Sequence, residues 1–446
     1  KVRAGNKISV QGGMNEDKQV EIGLLLPGAG KIIVNDAQGS IELTSSQGDA
    51  EIVGQVLVPG DEDSQVQSGS RIEIQTAGQL RIDNKLSAGK EIVLKAGQGA
   101  ATDLQNYKDG VYYYQDSDTD GPTTQDKGLL LLGSAQLMTW HKESEIKLEA
   151  SGINIMPPAA KDKYAIKAIE PGSKVTLQDL KGHNEDIYIG GKIHTYKELN
   201  INSSALHAGL NLVLDYSSEL RTEQGSIKFS PSSGQVRGAL IAGGADSSLI
   251  VQGENKLDIQ GMLKSAGDIL ISAGTDINLT SEAKLISTNS EGKITLQSQG
   301  DVNINGNIGN LGEQSEQNLA DILVQANSGQ LRVEKEAGWV QTHGGQIKLE
   351  ARDLDLAGVI KRQGSELEDQ HELHIDANQA QIHGDIEVQG AVLLDVQQQV
   401  TINNRLIADD LEVQAEDINV AKDWDQLEKD LSFHDESVKS IIVKEE

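Results

Sequence analysis

Residues 266 to 308 read AGDILISAGTDINLTSEAKLISTNSEGKITLQSQGDVNINGNI. Ile269 and Ile271 alternate with polar residues, Ile277 and Leu279 do so again, and one more apolar residue follows at Leu285. The order then restarts with Ile294 and Leu296, Val302 and Ile304, and Ile308. Alternation with a period of two buries one side of each short segment and wets the other, which is the signature of a strand. The preceding stretch carries the same beats at Leu249 and Val251, Leu257 and Ile259, and Leu263. Gly, Asn, Asp and Ser fill the gaps and supply turns, some with positive backbone angles.

The first beat returns after 20 residues from Leu249 to Ile269 and from Ile72 to Ile92, and after 25 from Ile269 to Ile294 and from Ile322 to Ile347. Three short strands per unit, closing on that period, describe one coil of a parallel β-helix, with coils stacked about 4.8 Å apart. A single coil cannot bury its inner side alone, so its stability comes from its neighbours. About 18 coils would make a rod on the order of 90 Å long. An antiparallel sandwich or barrel also uses short alternating strands. Three features count against it: few aromatics, few Asn-Gly or Asp-Gly hairpin signals, and the long-range period.

The expected organisation is one continuous β-helix over residues 1–420, with insertions near 97–127 and 155–170 and a charged cap or tail at 421–446. The 97–127 insertion separates the beat ending at Leu94 from the next at Leu129 and Leu131. The second contains Pro157 and Pro158, which cannot donate ladder bonds. DWDQLEKDL at 423–431 brings Trp424, Leu427 and Leu431 to one side at helical spacing, giving either a short amphipathic helix over the last coil or a charged tail.

Composition narrows the function. Sixty-eight acidic against 39 basic residues give a formal charge of -29, which repels phosphate backbones and anionic membranes. Nucleic acid is therefore not an expected partner, whereas divalent cations are. With no cysteine, disulfides and thiolate metal sites are excluded. The opening KVRAGNKISV lacks an initiating Met and an apolar signal core, and the expectation is a processed chain or an excised piece. The longest apolar runs, such as GLLLLG at 128–133, fall far below the roughly 20 residues that a membrane span needs.

GKEIVLKAGQG, AGDILISAGTDINLTSEAKL and GKITLQSQGDVNINGNI resemble the haemagglutinin repeats of filamentous haemagglutinin and related large exoproteins of two-partner secretion. The likeness lies in Gly, x, Ile, x, Leu, x, Ala or Ser, followed by Gly, Asp, Ile or Val, Asn, Ile. It is clearest over residues 70–99 and 247–420. The resemblance implies an all-β fold, a right-handed parallel β-helix, export to the cell surface or medium, and a role in attachment or display. Neither an N-terminal secretion domain nor a toxin module is recognisable.

The most specific chemical signal is QDSDTDGP at 115–122. Asp116, Asp118 and Asp120 stand on alternate positions before Gly121, an arrangement that lets carboxylate oxygens converge on calcium. The twelfth position of a full EF-hand loop is here Lys127 rather than Glu, so the loop is incomplete and weak affinity is expected; an acidic solvated turn is the alternative. Tyr112, Tyr113 and Tyr114 beside it form either a partner-binding patch or a strand packed on the coils. PGAGK at 27–31 lacks the glycine and the Ser or Thr of a phosphate loop and reads as a turn. His371 and His374 sit three apart, which on a strand sends them to opposite sides and argues against a shared metal.

No local motif supports hydrolase or lyase chemistry, so an enzyme is not expected, although neighbouring coils could assemble one from distant residues. The expectation is a secreted or cell-surface adhesive protein that presents loops to a glycan or protein. The alternatives are an extracellular filament assembled end to end from copies of itself, and a polysaccharide-degrading β-helix enzyme or phage-type spike.

Overall fold

The computed structural model describes residues 1–12, 22–46, 49–58, 69–97, 128–157, 163–179, 187–203, 212–289, 291–309, 320–335, 337–364 and 371–420. All regular elements among them are strands, and they fall into two compact units, Lys1–Ser232 and Ser233–Glu446.

In the first unit, each strand pairs in parallel with the third strand after it, the pattern that a three-sided coil requires and a meander cannot give. The first wall stacks Lys7–Gly12, Ser40–Ser45, Arg71–Thr76, Glu91–Ala96, Glu145–Ala150, Lys174–Asp179, Glu198–Asn202 and Ser226–Ser230. The second stacks Ile22–Leu26, Asp49–Ile52, Leu80–Ile82, Leu129–Leu131, Ile153–Ile155, Ile187–Ile189 and Leu212–Leu214. The third runs through Val2–Ala4, Lys31–Val34, Gln55–Leu57, Lys85–Ala88, Gln136–Thr139, Ile166–Ala168, Lys192–Thr195 and Glu219–Thr222. The strand Ile166–Ala168 thus lies inside the 155–170 stretch that the sequence marks as an insertion.

The second unit keeps the same grammar. Its third wall runs from Ala239–Ala242 through Met262–Ser265 and Lys284–Ser287 to Leu406–Ile407. The quoted repeat provides Asp268–Ala273, Ile277–Leu279, Lys284–Ser287, Lys293–Ser298 and Val302–Ile304, with the beat residues buried. From Asp321 onward the structure departs from three separate strands. First and second strands fuse in Asp321–Val333, Ile347–Leu356, Leu373–Ile382 and Ala391–Ile402. A register shift between Ala326 and Gln330 takes the corner that a turn takes elsewhere.

Aliphatic side chains fill both interiors, and Phe229 is the one aromatic among the buried hydrophobics of the described residues. Stacking like on like gives each buried Ile or Leu neighbours in the coils on either side, and burying one is worth about 1.5–3 kcal/mol. Polar stitches hold the corners. Asp268, Asp276, Asp301 and Asp321 each accept a backbone N–H from the following coil, at Lys293, Asp301, Gln330 and Gln346, over 2.8–3.0 Å. Inside, Thr195 donates to the Ser173 carbonyl at 3.1 Å and Thr342 to the Ala320 carbonyl at 2.9 Å. Arg362 breaks the pattern of the third wall. It occupies the inward position between Thr342 and Val388, is 0 % exposed, and donates to the carbonyls of Gln389 at 2.5 Å and Gly364 at 3.4 Å.

Candidate functional site

Asp116, Asp118, Asp120, Tyr112, Tyr113 and Tyr114 all lie outside the described residues, as does the stretch 423–431, expected as a helix or a charged tail. What the structure does describe is how the coils frame the segment that carries them. Glu91–Ala96 continues the first wall between Arg71–Thr76 and Glu145–Ala150. Leu129–Leu131 continues the second between Leu80–Ile82 and Ile153–Ile155. The corner between them is where 98–127 is inserted.

Both flanks of the insertion converge on Ser151. Gly97 has φ +70, and a Cβ placed there would stand 1.9 Å from the Ser151 hydroxyl oxygen. One on Gly128 would stand 2.8 Å from that hydroxyl and from the Ser151 carbonyl. Gly97 N–H donates to Gly78 at 2.8 Å, and Gly128 N–H to the Ser151 carbonyl at 2.6 Å. Glycine is needed at the first position for its left-handed backbone and at the second for close approach. The two ends of the insertion are therefore pinned side by side on an unbroken ladder.

The outer surface of the first unit differs from wall to wall. On the first wall, cations meet carboxylates: Lys7 with Glu42 at 2.7 Å, Arg71 with Glu73 and Glu91 at 2.9 and 3.0 Å, Lys95 with Glu73 at 3.3 Å, and Lys174 with Glu198 at 2.8 Å. The third wall pairs Arg221 with Glu223 at 3.5 Å and also puts cations against a ring. Lys85 and Lys167, one coil to either side of Trp140, hold their ammonium groups 5.9 and 5.4 Å from its ring centroid. Trp140 Nε1–H donates to Ser87 Oγ at 3.1 Å, while Tyr164 packs on His194 with centroids 5.2 Å apart. Burial pushes the His194 imidazole below its usual range, against the opposing pull of the Glu223 carboxylate 2.6 Å away.

Sequence reasoning missed this cluster, because Trp140 follows a strand rather than standing on one. The signal was available in the register Ser87, Met138, Lys167, His194, Arg221, which are stacked partners in consecutive coils.

Other sequence-marked residues are placed plainly. PGAGK is a turn, with Gly30 N–H donating to the Pro27 carbonyl at 2.7 Å. His371 lies ahead of the strand Leu373–Ile382 and stands 3.8 Å from Glu412. His374 points outward from that strand, and its Nε2 has no hydrogen-bond partner among the described residues. Burial lowers its proton affinity, with Lys348 adding to the effect. Among the described residues no group of three or more His, Cys, Asp or Glu is arranged to hold a metal ion, and no helix is long and apolar enough to cross a membrane. No family model, curated protein or solved structure matches the chain.

Proposed function

We propose that this protein is a secreted or surface-exposed adhesive scaffold of the haemagglutinin-repeat exoprotein type, with the coils as support and residues 98–127 as the presented element. The observation that supports this reading is the convergence of Gly97 and Gly128 on Ser151. Thirty residues enter and leave at one corner without disturbing the coils above and below, which separates support from recognition and lets contacts vary on a fixed frame. Asp116, Asp118 and Asp120 would take calcium there, and Tyr112, Tyr113 and Tyr114 would meet the glycan or protein partner.

The test replaces 98–127 with a short Gly-Ser linker and compares binding to host-type cells or a glycan array. Lost binding with an unchanged circular dichroism spectrum and melt supports the reading. Full retention of binding sinks it.

A further inference from the structure

We infer that the third wall of the first unit, centred on Trp140, binds a linear polysaccharide that carries carboxylate groups. This goes beyond attachment through residues 98–127, because the coil wall itself becomes a contact surface. Lys167, His194 and Arg221 are stacked partners in successive coils, and Lys85 and Lys192 occupy the neighbouring outward row of the same wall. With coils about 4.8 Å apart, Lys167 and Arg221 stand roughly 10 Å apart along the stack. Glu223 stands 3.5 Å from Arg221 and 2.6 Å from His194, and Glu219 is the stacked partner of Lys192. The positive charge of this wall therefore concentrates at Lys85 and Lys167 around Trp140, with Arg221, two coils from Lys167, as a further contact along an extended ligand.

Trp140 sets the chemistry. Its hydrogen bond to Ser87 fixes the ring, and the ring holds the ammonium groups of Lys85 and Lys167. Two long side chains are thereby ordered before any ligand arrives, which removes part of the entropy cost of binding. An indole already flanked by ammonium groups presents positive charge rather than an open stacking face, so the ligand must be anionic. The formal charge of -29 on the chain rejects densely charged polyanions such as nucleic acid, because long-range repulsion grows with every ligand charge. Carboxylates diluted by neutral sugar suffer less of it. Tyr164, tilted on His194, adds an amphipathic ring suited to sugar.

Calorimetric titration of the full chain with hyaluronate oligomers, in which uronate alternates with a neutral sugar, at low salt tests this. The expected results are binding by the wild type, about tenfold weaker binding by the Lys85→Gln, Lys167→Gln double variant, no binding of neutral dextran, and loss of the heat at high salt. If the double variant does not fold, Arg221→Gln alone must weaken binding about threefold. Wild-type affinity in every folded cation variant overturns the proposal, as does absence of uronate binding by the wild type. Equal binding of polyglutamate reassigns the wall to acidic proteins and overturns the sugar. The chain with 98–127 replaced must still bind uronate, so this inference and the function proposed above fail separately.

Discussion

Gly384 sits where two coils approach closely, and replacing it with Ala should expose how tightly the stack is set. A Cβ at this position would lie 1.8 Å from the Gly358 carbonyl oxygen. That oxygen accepts the N–H of Asp385 at 3.1 Å. The obstacle is backbone, so no rotamer change relieves it; the coils must part at this corner. Overpacking of this kind costs about 1–3 kcal/mol, and the weakened ladder bond adds about 1 kcal/mol, for a total of roughly 2–4 kcal/mol. Gly358→Ala should cost less, because its Cβ would lie 2.3 Å from Gly338 O. Gly5→Ala meets nothing within 4 Å and should stabilise by about 0.4–1 kcal/mol through the unfolded chain. Urea unfolding of the three variants gives the order directly, and hydrogen exchange at Asp385 reports the opening. Equal midpoints for Gly384→Ala and Gly5→Ala would refute the steric argument.

Arg362→Ala removes the donor to the Gln389 carbonyl and leaves a void inside the coil; a loss of about 3 kcal/mol is expected in urea unfolding, and a wild-type midpoint contradicts the buried role. Asp301→Ala should cost about 1–2 kcal/mol, since its carboxylate holds the Gln330 N–H of the next coil at 2.8 Å; Asp301→Asn, which keeps an acceptor, should recover most of it. His194 has its folded proton affinity lowered, chiefly by burial. The unfolded state therefore binds the proton more readily, and the stability that His194 contributes is present above about pH 6.5 and is lost as pH falls below that value. Relief of self-repulsion among the carboxylates changes stability over the same range, so the readout is the difference between wild type and His194→Gln. That difference should narrow from pH 7.5 to 5.5; a widening gap contradicts the sign. Chelation at low salt should lower the melting temperature if Asp116, Asp118 and Asp120 hold structural calcium, and an unchanged melt removes that role.

The coil was legible because its cause is local: the burial alternation at Ile269, Ile271, Ile277 and Leu279 is written into every copy. The fused strands were not. Asn327, Ser328 and Gly329 carry turn chemistry and fall at the register shift inside Asp321–Val333, where the ladder on either side carries the strand through the corner. Arg362 was hidden for another reason. Its position continues an inward column that holds Thr342 one coil earlier, so nothing in one coil announces a buried guanidinium. The Trp140 cluster joins residues from successive coils, and pattern reading along a single chain does not assemble it. The acidic loop and the tyrosines are visible in sequence, but they fall outside the described residues.

The corner at Ser151 also bears on what a protease could do. Both strands flanking 98–127 are held by lateral partners in the coils below and above, and none of those bonds requires the peptide chain between Gly97 and Gly128 to be intact. A single nick there would leave two fragments on a denaturing gel and one folded particle in solution. Covalent continuity and structural continuity are separable at this corner, so a cut between Gly97 and Gly128 would divide the chain without dividing the stack of coils.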